Sequence, residues 1–525
     1  MNNIQNPYTQ QSKQPSQNGH GMPPPPPMFP RGRWQRKVMN MIGRAKCVYP
    51  DWLSKYAVTT YLLALIIVNV LYSTYNVPWY YLLSGIVSVF VLFIYGRRLA
   101  INTSTLQVRK ERTFERRIFV IAFFVRILWT LLIYYLFMRD YGDAFGFENG
   151  DAVYYDDLGQ FVSGLINDGD FHFYDAITKW NGGHGDIADM GYGIYVGFIY
   201  WLTGNSIIVV RLIKCLLSAW TVLLIYRLAR RNFGEQIARV TAIFCTLWPN
   251  FWYYCGVHLK EVEMVFLTVL FVEQADQMLR SRQFTTWKIV PILLIAAIIF
   301  TFRTPLGLVA VLALLFAVIM SSTKVVSWGK RIMVGVLAIF LIGLTIGNRI
   351  QERAIGLIEK AQSNEQIDNM KWRAERKGGN TFAKYAGTAV FAPLIFTLPF
   401  PTMVRPYEGQ ELQQLLNGGN FFKNITSFFV IICLLTLLLS GNWRNHLLPL
   451  SFMLGYLVVL AMSNFAQSER FHQPAMPFEF MFAAYGLSIA MTKKKYKRWF
   501  TYWCGLMFMA AIAWNWFKLA GRGLV

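Results

Sequence analysis

From residue 58 onward the chain is a succession of apolar runs separated by short polar stretches, at 58–76, 78–95, 118–137, 206–228, 236–254, 262–279, 287–302, 304–321, 332–347, 421–440, 446–463, 474–491 and 499–519. Runs of about 20 residues match the hydrocarbon core of a bilayer. In lipid each backbone polar group must be satisfied within its own segment, so such runs are helices. The pattern predicts an all-α polytopic membrane protein of about 13 transmembrane helices.

Two apolar stretches receive no span. The stretch 191–203 is short and amphipathic and is assigned to the outer surface. The stretch 388–402 is interrupted by Pro393, Pro399 and Pro401 and is read as re-entrant or interfacial. Charge forces both assignments. Lys and Arg concentrate on the cytoplasmic side, and Arg227, Arg230 and Arg231, like Lys493 to Lys495, fall inside only if neither stretch crosses. The segment Met138–Met190 inverts the balance, with eleven acids (Asp140, Asp143, Glu148, Asp151, Asp156, Asp157, Asp168, Asp170, Asp175, Asp186, Asp189) against Arg139 and Lys179. It is a large acidic first outer loop. The mildly basic segment 349–387 also falls outside and strains the scheme.

Composition agrees: 55% of the 525 residues are apolar and only 15% charged, against about a quarter charged in soluble domains. The net charge of +23 resides in loops between spans, which argues against nucleic acid as a partner. The six cysteines are scattered, with neither metal nor disulfide spacing. Residues 1–30, rich in Gln, Asn, Ser and Pro, lack the apolar core of a signal peptide and are expected to be disordered.

The chain thus divides into a basic cytoplasmic tail (1–56), a transmembrane hairpin (57–96), a basic cytoplasmic loop (97–117), a transmembrane module (118–347) with outer loop 138–205, an outer segment (348–420) and C-terminal helices (421–525). The N-terminus is expected in the cytoplasm.

The outer loop contains Gly150-Asp151-Ala152-Val153-Tyr154-Tyr155-Asp156-Asp157. If 152–166 is helical, Asp151 stands at its N-cap, where a carboxylate accepts backbone N–H bonds. Three carboxylates beside the membrane suit a general base; a capped, solvated surface helix shows the same spacing. Candidate phosphate ligands are Lys260, Arg303, Arg470 and His472, because fixed cations at an outer surface hold a lipid phosphate and Arg does so with a fork. Arginines there also simply snorkel to head groups. Arg126 and Arg211 fall within spans, where charges face an interior or a cavity.

An acid followed by tyrosines in the first outer loop resembles the GT-C glycosyltransferases, nearest to the protein O-mannosyltransferases and the lipid A aminoarabinose transferases. Trp201-Leu202-Thr203-Gly204, Leu247-Trp248-Pro249 leading to Leu259-Lys260-Glu261, and Glu469-Arg470-Phe471-His472-Gln473-Pro474-Ala475-Met476-Pro477 agree in order. The resemblance covers about 118–320 and 469–490. It implies a polyprenyl-phosphate-linked sugar donor, a lipid, glycan or protein acceptor, and inverting transfer with Asp151 as base. Where the family often has a second acid, this chain has Ala152, which brings in Asp156 or Asp157. Tyr155, Glu261 and Arg211 are expected to support the site. The resemblance implies no certain cofactor, and a divalent cation stays open because family members differ in metal need. The expected location is a bacterial inner membrane. The competing readings are a polymerase or ligase of lipid-linked oligosaccharides, and a transporter or flippase.

Overall fold

The computed structural model describes residues 49–104, 111–182, 187–281, 289–321, 392–405, 411–463 and 465–525, with isolated positions between 287 and 382. The tail 1–48, the span expected at 332–347 and most of the basic segment 349–387 lie outside the described residues. Among the described residues the fold is helical, with a single isolated antiparallel bridge between Asn76 and Val404.

Among the described residues five helices are long and apolar enough to cross a membrane: Asp51–Leu71, Trp79–Thr103, Thr113–Asp140, Ile207–Phe233 and Asn417–Leu439. Shorter apolar helices at Ile289–Phe302, Thr304–Met320, Leu447–Ala461 and Met476–Ala490 join them. With the apolar composition, this makes the chain an all-α integral membrane protein.

The first helix, α1 (Asp51–Leu71), begins ahead of the expected 58 because Pro50 and Asp51 start it; an acid in the first turn suits the helix dipole. The helix Trp79–Phe90 (α2) continues through a π turn into Gly96–Ser104 (α3). Next comes α4 (Glu111–Asp140), then the three helices of the acidic segment, α5 (Asn149–Asn167), α6 (Phe173–Trp180) and α7 (Ile187–Thr203). After α8 (Ile207–Phe233) the run expected as one span at 236–254 is two helices, α9 (Glu235–Leu247) and α10 (Pro249–Gly256). Pro249 cannot continue a helix from within and instead opens the second one.

There follow α11 (Glu261–Arg280), α12 (Ile289–Phe302), α13 (Thr304–Met320), α14 (Glu411–Leu415), α15 (Asn417–Leu439), α16 (Leu447–Ala461), α17 (Glu469–His472), α18 (Met476–Ala490) and α19 (Lys494–Ala520). After a single 3-10 turn at Ala392–Leu394, residues 395–405 are non-helical. Asn424 donates to the carbonyls of Thr397 and Pro399, the latter at 2.9 Å, and Asn515 donates to Pro401 O at 3.1 Å. These amides satisfy backbone that no helix or strand satisfies, as irregular backbone within a membrane protein requires.

The three helices α5, α6 and α7 have their own small core of Leu158, Val162, Ile177 and Met190. Helices α5 and α7 approach through glycines. A Cβ on Gly159 would come within 2.4 Å of Val196, and one on Gly193 within 2.3 Å of Leu158. Small residues at such a crossing let backbones pack closely.

Candidate functional site

The site starts where the chain leaves α4. Asp143 Oδ1 accepts from the backbone N–H of Phe145 (2.7 Å) and of Gly146 (2.8 Å), and Gly146 takes φ +61°, which glycine adopts without strain. The buried Arg211 of α8 donates to Ala144 O at 2.5 Å, tying the turn down. This turn launches α5 at Asn149, with Glu148 in the N-cap position but making no side-chain cap bond. Asp151 is therefore not the N-cap expected from sequence. It lies inside the first turn, because the helix begins three residues earlier.

Asp151 is the exposed pole of an ion bridge. Arg470 places Nη1 on Asp151 Oδ2 and Nε on Glu261 Oε1. The two carboxylates differ sharply: the Asp151 side chain is 59% exposed, whereas that of Glu261 is 1% exposed. Glu261 opens α11. Arg470 stands on the short helix α17, whose turn is held by Tyr456 donating to Phe471 O at 2.9 Å. Burial works against the Arg470 charge, but the two carboxylates hold the guanidinium well above its ordinary pKa.

Arg303, the single residue between α12 and α13, lies over the Phe471 ring at 4.2 Å, and Arg470 lies over the same ring at 5.7 Å. Two arginines thus share one aromatic ring beside Asp151. Among the described residues Arg303 has no ion-pair partner, so its charge remains available.

Two further acids join them. Glu148 accepts from Tyr253 Oη at 3.0 Å. Burial raises its pKa, opposed by the Tyr253 hydroxyl and by Arg470. Glu469, 4% exposed, is pushed up to about 7, chiefly by burial. Perturbed carboxyls next to an exposed one mark a candidate site for proton chemistry. Neither residue had been assigned a role from sequence. Glu148 carried a faint signal as the acid three positions before Asp151, and Glu469 lay inside the quoted motif.

The remaining predicted residues separate. Lys260, at the N-cap of α11, donates to Phe302 O at 2.9 Å and lies over the Tyr155 ring at 5.5 Å. It fastens α11 to the end of α12. Tyr155 is buried, edge-on to Tyr192. Asp156 accepts from Tyr200 Oη and, at 2.7 Å, from Gln160 Nε2; Asp157 is exposed.

His472 turns inward. Its Nδ1 faces Lys423 Nζ at 2.5 Å and its Nε2 faces Ala466 O at 2.9 Å. Burial and Lys423 hold its pKa well below the ordinary value. A neutral ring that donates from Nε2 and accepts from Lys423 at Nδ1 meets both contacts. The two buried arginines also differ. Arg126 is satisfied by Ser218, Ala122 O and Cys245 O, whereas Arg211 Nε and Nη1 have no hydrogen-bond partner among the described residues. No group of three or more candidate metal ligands occurs among the described residues.

Residues 193–346 match the model of the dolichyl-phosphate-mannose-protein mannosyltransferase family. The chain is a membrane glycosyltransferase, and over the matched segment it is similar to that GT-C-type family. The match covers less than a third of this glycosyltransferase. It includes Arg211, Lys260, Glu261 and Arg303, whereas Asp151 and Arg470 fall outside it. No curated protein and no solved structure matches the chain.

Proposed function

We propose that the enzyme transfers a sugar from a polyprenyl-phosphate carrier to an acceptor hydroxyl, by an inverting displacement on the non-cytoplasmic face, with Asp151 as general base. The observation that carries this reading is the Arg470 bridge. It ties the exposed carboxylate of the outer loop to a cation that also stacks, with Arg303, on Phe471.

A donor phosphate arriving at Arg303 and Arg470 competes with Asp151 for the guanidinium, since an arginine fork binds phosphate as it binds carboxylate. Glu261, buried on the other side, keeps Arg470 in place. Asp151 is thereby released toward the acceptor. The acceptor oxygen then bonds to the anomeric carbon, the bond from that carbon to the phosphate oxygen breaks, and the acceptor proton passes to Asp151. The lipid phosphate leaves with the electron pair, its charge balanced by the two arginines. The basic N-terminal segment lies in the cytoplasm, and the membrane is a bacterial inner membrane.

The test is to purify wild type and Asp151→Asn with their lipids and identify those lipids by mass spectrometry. The reading expects a polyprenyl phosphate or its sugar conjugate in both, enriched in the variant. Absence of any such lipid from both proteins counts against the donor.

A further inference from the structure

Helix α5 carries Asp151 in its first turn and a second recess near its far end. An open cavity of about 630 Å³ is lined by Phe161 of α5, by Asp170 and His172 of the connecting turn, and by Asp175, Lys179 and Trp180 of α6. Its size falls among pockets that hold small ligands, roughly 300–1,000 Å³.

One wall is a preformed aromatic face. The Phe161 and Trp180 rings stack with centroids 5.7 Å apart at 22°, and Tyr154 leans on Trp180 at 5.8 Å. Phe161 packs on the small core of the outer loop, so the stack is anchored. Trp180 nevertheless remains 38% exposed. The rim is polar, with Asp170 Oδ1 and His172 Nδ1 3.0 Å apart and Asp175 and Lys179 open to solvent.

A sugar ring has this same duality. Its C–H face is apolar and is drawn to the negative face of an aromatic ring, while its edge carries hydroxyls that donate to carboxylates and accept from an ammonium. Other occupants fit less well. An anionic lipid surface selects clusters of Lys and Arg, yet this turn and helix present Asp168, Asp170 and Asp175 against Lys179. The same surplus of acid disfavours nucleic acid and acidic glycans. Ten residues of α5 separate Phe161 from Asp151, a distance of about 15 Å. A chain resting in the recess would need to extend over that distance for its terminus to lie beside Asp151.

We propose that this recess is an acceptor subsite for an uncharged oligosaccharide. The assignment rests on the transferase reading, and it narrows the acceptor to a glycan.

The test uses the full chain in lipid nanodiscs, free of glycoside detergents, and a fluorescent panel of neutral, amino-sugar and uronic-acid oligosaccharides. Wild type should bind neutral members. Trp180→Ala should weaken that binding at least tenfold, Asp175→Asn should weaken it less, and Asp151→Asn should retain it. Trp180→Phe, which keeps a ring, should restore most of the loss and so separates stacking from misfolding. Binding of no panel member, binding unaffected by Trp180→Ala, or a Trp180-dependent preference for anionic lipid over saccharide would each overturn the proposal. The two readings fail separately. Asp151-dependent donor consumption without saccharide binding removes the subsite alone. Trp180-dependent saccharide binding with no donor consumed removes the transfer reading and with it the role of acceptor, leaving a saccharide site.

Discussion

Replacing Arg470 by Gln should destabilise the protein far more than loss of an exposed ion pair would. The bridge has two unequal halves. On the Asp151 side the carboxylate is 59% exposed, and an exposed pair contributes about 0–1 kcal/mol. On the other side Glu261 is 1% exposed, and its Oε2 has no partner among the described residues. Removing the guanidinium strands that carboxylate, and breaking a buried pair from one side costs about 3–5 kcal/mol. The single variant should therefore lose roughly that amount. The double variant Arg470→Gln/Glu261→Gln, which no longer strands a charge, should recover more than half of it. Contacting residues are expected to be non-additive in this way. The assay is denaturant or thermal unfolding of the four proteins of the cycle under one detergent condition. A loss below about 1 kcal/mol for the single variant, or additive losses in the double, would refute the idea that Glu261 anchors Arg470.

Glu469, raised to about 7 chiefly by burial, keeps its proton more readily folded than unfolded. Its contribution to stability is therefore full below the ordinary carboxyl range and is lost as pH rises through about 7. Unfolding measured from pH 4 to 8 should show that decline in wild type and a flatter profile in Glu469→Gln; identical profiles would count against the shift. Arg303→Ala should raise the KM for a lipid-phosphate donor about tenfold or more, from the roughly 1.5–3 kcal/mol of a hydrogen bond to a charged group. Its unfolding should stay near wild type, because Arg303 holds no ion pair among the described residues. An unchanged KM would remove Arg303 from the donor site.

Much of the architecture was legible from apolar run length. The conditional helix over 152–166 is present within α5, and the succession of apolar helices and the proline-interrupted segment around Pro399 followed from run length and its interruptions. Helix boundaries did not. Pro249 splits an apolar run that hydropathy alone reads as continuous, and the start of α5 moved Asp151 from the cap into the first turn. The site was legible only as fragments. Asp151, Glu261 and Arg470 were each quoted from separate motifs, but Arg470 lies 319 positions from Asp151 and 209 from Glu261. No local periodicity reports a contact of that separation. His472 shows the converse: one position from Phe471 it belongs to the same motif, yet a turn of α17 directs its ring to Lys423 rather than toward Arg303. Glu148 and Glu469 gained their significance from burial, which no spacing reveals.

The central claim, that Asp151 is the base, is tested most directly by transfer from a polyprenyl-phosphate sugar in proteoliposomes containing wild type or Asp151→Asn, matched for folded protein. A general base contributes typically about 10²–10⁴ in rate, and the Asp151 half of the bridge adds little stability. The account predicts turnover reduced by at least about 100-fold with unfolding nearly unchanged. Wild-type turnover in the folded variant would contradict it.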